Sequence, residues 1–186
     1  MMRRWYDVLF RPLWILCVVF AIISAAPAVY ASPFGQGVFG ADVPFGSATS
    51  LAIALGGSVD LSLTPNGSNF VGSGSHTITV TSTDVVGYNL YIYAPGGTNM
   101  TSTTSTIPAS LNGTASSLAV NTWGYNIDGS SNYKGVTTTP TLLKTASGPY
   151  KNGNNTTVTY GVITDVTKAE GSYAVNVTYT AVALTQ

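Results

Sequence analysis

Apolar and polar residues alternate one for one through much of the chain beyond residue 50, the period of a strand with one face buried. Val59, Leu61 and Leu63 alternate with Asp60 and Ser62, Ile78 and Val80 with threonines, and Tyr88, Leu90 and Ile92 with Asn89, Tyr91 and Tyr93. The longest run puts Tyr173, Val175, Val177, Tyr179 and Ala181 on one face and Ala174, Asn176, Thr178 and Thr180 on the other. Turn chemistry separates these runs at Pro65-Asn66-Gly67, Asp84 to Gly87, Pro95-Gly96-Gly97, Asp128-Gly129, Asn152-Gly153 and Glu170-Gly171. About eight strands with such punctuation predict an all-β fold, an antiparallel β-sandwich of immunoglobulin-like or jelly-roll type. Between Pro95 and Leu118 the chain is mostly Thr, Ser, Asn and Gly, which predicts a long surface loop.

The first residues follow a different rule. Arg3, Arg4 and Arg11 precede an uncharged apolar run from Leu13 to Ala26, and Val29-Tyr30-Ala31 puts small residues where a signal peptidase reads. The pattern predicts a signal helix over 1–31, cleaved before Ser32. The alternative is an uncleaved membrane anchor, since Leu13 to Ala31 approaches the about 20 residues that span a bilayer. Cys17 follows Leu16, whereas a lipoprotein site wants a small residue there, so lipidation is not expected. Residues 32–50 then read as an extended arm in which Phe34, Phe39, Val43 and Phe45 are spaced by glycines, and residues 51–186 as the sandwich domain. Such an arm either covers the edge of its own domain or adds a strand to a neighbour's sheet.

Removing the first 31 of the 186 residues leaves 155, with no arginine, no cysteine, four lysines, six acids and one histidine, His76. That balance leaves no basic patch for nucleic acid and offers a membrane only the leader, if it stays uncleaved. Abundant aromatic and β-branched residues argue for a folded chain, and its length suffices for a core without disulfides.

The same poverty argues against catalysis. His76 opens a Thr-rich strand, where an exposed side chain is expected, and no G-x-S-x-G elbow accompanies it. No zinc spacing occurs and no cofactor motif is present. Asn126 to Asn132 sets oxygen-bearing side chains around Gly129 but lacks a distal bidentate Glu, so an Asp-Gly turn explains it better than calcium. Tyr91, Tyr93, Trp123 and Tyr125 are candidates for glycan contact, because Tyr and Trp combine flat apolar faces with a polar edge. Alternation turns about half of such residues inward, and Tyr91 and Tyr93 are the exposed ones if Leu90 faces the core.

The stretches Trp123-Gly124-Tyr125, Thr156 to Val162 (TTVTYGV) and Gly171 to Ala181 (GSYAVNVTYTA) carry a resemblance. They resemble the C-terminal half of small surface proteins of candidate-phyla bacteria, with a WGY strand, a YGV strand and a final G-T-Y strand. The last two strands are similar as well to those of spore-coat-U-type and pilin-like sandwiches. The resemblance implies a surface location and an immunoglobulin-like fold, and it carries no catalytic residue across. The resulting expectation is an exported, non-enzymatic structural or adhesive cell-surface protein that self-associates by strand addition. The alternative is a monomeric extracellular module that binds surface glycans.

Overall fold

The computed structural model describes residues 50–185, and among them every regular element is a β-strand. The predicted leader, its reading as an anchor, and the arm residues Phe34, Phe39, Val43 and Phe45 lie outside the described residues. The strands are β1 (Ser50–Leu55), β2 (Thr64–Asn66), β3 (Asn69–Thr83), β4 (Gly87–Tyr93), β5 (Met100–Thr101), β6 (Thr106–Ile107), β7 (Thr122–Asn126), β8 (Thr141–Ser147), β9 (Tyr150–Asp165) and β10 (Thr178–Leu184). In the larger sheet the order is β1-β3-β9-β7, with β2 also on β3; the smaller sheet is β10-β4-β8, and β5 pairs with β6. Every ladder is antiparallel, an arrangement consistent with a β-sandwich.

The period-two pattern decides which side chains meet in the core. Ile78, Val80, Val158, Trp123 and Tyr125 come from the larger sheet and Tyr88, Leu90 and Ile92 from the smaller, all buried in one cluster. The β2–β3 hairpin closes through Gly67, whose φ of 61° is the left-handed conformation the Asn-Gly signal predicts.

Four expectations change. Val59 to Ser62 alternates in burial as a strand would, with Leu63 exposed, but the stretch joins no ladder with another described strand. The predicted final strand is paired only from Thr178 onward, and the extended stretch before it makes one bridge, Ala174 to Thr101. Asn152-Gly153 is no turn: β9 runs through it, and Gly153, at φ 85°, sits where the β3 register slips between Val80 and Ser82. The segment from Pro95 to Leu118 is not a surface loop throughout. Ile107, Ala109 and Leu118 are buried, and the Thr98 carbonyl accepts a hydrogen bond of 2.9 Å from Trp123 Nε1. Its few apolar residues anchor it to the core by the same burial that holds the strands.

Candidate functional site

The long strand β3 explains where a site can form. Residues 72, 74, 76, 78 and 80 share one face by alternation, and the burial of Ile78 and Val80 identifies that face as the core side. Two of its positions are glycines. A Cβ on Gly72 would lie 2.9 Å from the Ser62 carbonyl oxygen, and one on Gly74 would lie 2.8 Å from that of Asp60. Main chain from residues 58–63 therefore rests directly on the core face of β3. The chain leaves the larger sheet after β1, crosses into the second layer, and returns as β2. Glycine inside a strand admits such close approach, and the Gly-Ser-Gly-Ser run at 72–75 was the sequence signal for it.

A cleft of about 810 Å³ opens between this crossing segment and the extended stretch 171–177. Its floor is the inner face of the larger sheet at Trp123, Tyr160 and Val162. Its walls include Val59, Leu61 and Leu63 on one side and Val175 and Val177 on the other. Val59, Leu61, Val175 and Val177 are half-buried, packed against the core with part of each side chain left at the cleft. The two walls lie in the layer of the smaller sheet, separated by the cleft, and neither forms a ladder with the other.

One end of the cleft is polar. His76 is not the exposed strand histidine expected from its sequence context: it is half-buried, with its ring 5.5 Å from that of Tyr179 and 6.0 Å from that of Tyr160. Nδ1 lies 2.9 Å from the Gly57 carbonyl oxygen, which can only accept, so Nδ1 carries the proton. In the neutral ring Nε2 then accepts from the Tyr179 hydroxyl at 3.0 Å, and Tyr179 accepts in turn from Tyr160. This run ties the start of the crossing segment to β9 and β10. Burial pushes the Tyr160 phenol up to about 12 and moves the Tyr179 phenol upward as well, with the nearby Tyr160 adding to the rise. Both remain protonated donors at neutral pH.

The aromatic candidates separate into two groups. Trp123 and Tyr125 are buried, at 0% and 2% exposure, so they do not offer surface faces to a sugar. The register gives the reason: Trp123 faces Val162, Gly124 faces Gly161 and Tyr125 faces Tyr160, so the WGY and YGV motifs lie across from each other and both send their aromatics inward. The paired glycines leave room on the opposite face for Tyr133, whose ring lies 2.4 Å from where a Gly161 Cβ would be. Tyr91 and Tyr93 are half-exposed on the outer face of β4. In the loop after β7, the Asn126 and Asp128 side-chain oxygens accept from the backbone amides of Gly129 and Ser130, as a turn requires.

A nucleophile, an acid-base pair and an oxyanion pocket do not converge in this cleft; it offers an apolar trough with extended main chain on both sides and a hydroxyl-imidazole end. Such a surface suits an extended peptide, which can hydrogen-bond to the walls and set alternate side chains on the floor. In comparisons with known proteins the chain matches no family model, no curated protein and no solved structure.

Proposed function

We propose that the chain is exported and serves as a structural or adhesive surface subunit, an immunoglobulin-like or jelly-roll sandwich completed by a strand from a neighbouring copy. The observation that carries this reading is the cleft: two extended segments that form no ladder with each other flank an apolar floor. The arm supplies a fitting occupant. Phe39, Val43 and Phe45 share one parity, so in an extended strand all three point to the same side. Burying each phenylalanine is favourable by roughly 1.5–3 kcal/mol.

In this reading the donor is the arm of another copy. The reading assigns no catalytic step, cofactor or metal.

Electron microscopy and size-exclusion chromatography of the chain beginning at Ser32 test this. We expect filaments or higher oligomers from the intact chain and a folded monomer after deletion of residues 32–45. If the intact chain stays monomeric at high concentration and the deletion unfolds it, the arm serves its own domain and the reading falls.

A further inference from the structure

The outer face of the β10-β4-β8 sheet is the side turned away from the core residues Tyr88, Leu90 and Ile92. Its composition is set by the period-two pattern. Across the strands, Asn89 stands beside Val182 and Thr145, Tyr91 beside Thr180 and Leu142, and Tyr93 beside Thr178. None of these side chains is charged. Tyr91 and Tyr93 are half-exposed, and two residues along one strand puts them about 7 Å apart on the same side. Thr178 and Thr180 set hydroxyls along one flank of the pair.

Polar groups here are held as well as present. The Thr145 hydroxyl donates to Asn89 Oδ1 at 2.9 Å, and Asn89 Nδ2 donates to the Tyr91 hydroxyl oxygen at 3.5 Å. The first bond fixes the amide, and the second leaves the Tyr91 O–H free to donate outward. Aromatic rings with an apolar body and a polar tip, among fixed amide and hydroxyl groups, match a pyranose ring, which presents C–H faces and hydroxyl edges. The lack of charge selects the partner further. An anionic polymer gains nothing on such a face and would be partly desolvated without a counter-charge.

We propose that this face binds a neutral, extended glycan, with Tyr91 and Tyr93 as the stacking platform and Asn89, Thr178 and Thr180 as hydrogen-bonding partners. The inference goes beyond strand addition and does not depend on it, because the residues of this face do not line the cleft. It gives the surface subunit a target to adhere to.

The experiment is calorimetric titration of the chain beginning at Ser32 with cellohexaose and chitohexaose, and with hexagalacturonic acid as the anionic comparison. Binding of at least one neutral probe is expected, with no binding of the anionic one. Tyr91→Ala and Tyr93→Ala should each weaken the neutral probe by roughly tenfold or more. Thr180→Lys, which places a charge on the face without removing core packing, should abolish binding while melting as the parent does. Oligomer formation should be unchanged in all three variants, which separates this inference from the strand-addition reading. The proposal is overturned if neither neutral probe binds at about 1 mM, if the anionic probe binds as well as the neutral ones, or if the variants bind like the parent.

Discussion

Replacing Gly72 and Gly74 together by alanine tests the feature on which the cleft depends, the passage of residues 58–63 over β3. The added methyl at 74 would meet the Asp60 carbonyl oxygen and Val59 Cγ1, each at 2.8 Å, and that at 72 would meet the Ser62 carbonyl oxygen at 2.9 Å. Two of these obstacles are backbone, so a side-chain rotation cannot relieve them and the crossing segment must lift. Overpacking of this kind costs roughly 1–3 kcal/mol per site. Restricting the unfolded chain returns about 0.4–1 kcal/mol for each Gly→Ala change. Both methyls push one segment, so their effects overlap rather than add in full. A net loss of about 2–3 kcal/mol follows, which at this domain size lowers Tm by roughly 8–12 °C. Gly96→Ala is the control, because a methyl there meets nothing within 4 Å. Calorimetry gives the melting shift. Hydrogen exchange supplies the location, with faster exchange expected at Gly56, whose amide bonds to the Thr77 carbonyl where the crossing begins, and little change at 122–126 while the domain stays folded. A double variant that melts within about 2 °C of the control, with exchange at Gly56 unaltered, would refute the close approach of that segment to β3.

Two further outcomes follow from the buried phenols and the leader. Because burial raises the Tyr160 phenol to about 12 and also raises Tyr179, the unfolded chain loses protons at lower pH than the folded one. Stability associated with these groups is intact below the ordinary tyrosine value near 10 and is lost as pH climbs toward 12. Melting curves from pH 8 to 12 should therefore fall across that upper window, and the Tyr160→Phe, Tyr179→Phe double variant should flatten the fall; an equally steep fall in that variant would assign it to other groups. For the leader, N-terminal sequencing of exported protein should begin at Ser32, whereas intact Met1 in a membrane fraction would establish the anchor instead.

The sequence alone determined the phase of each extended run. Side chains alternate across any extended backbone for steric reasons local to the strand, so Leu90 and Ile92 against Tyr91 and Tyr93, and Tyr173, Val175, Val177 and Tyr179 against Ala174 and Asn176, were legible residue by residue. The sequence did not say which runs pair. Val59 to Leu63 alternates like β4, yet it lies unpaired with other described strands, because alternation reports a half-buried face and is silent about hydrogen-bond partners far away in the chain. For the same reason the aromatic candidates could not be sorted by chemistry. Trp123 and Tyr125 turn inward because β7 lies against β9 with glycine facing glycine, and that register exists only once the sheet has formed. Asn152-Gly153 carries turn chemistry that the long pairing of β3 with β9 converts into a bulge, since continuing that ladder satisfies more backbone groups than ending it there. His76 shows the limit most directly. Its partners are the Gly57 carbonyl and the Tyr179 hydroxyl, 19 and 103 residues away in sequence, brought to one end of the cleft only by the packing of one layer on the other.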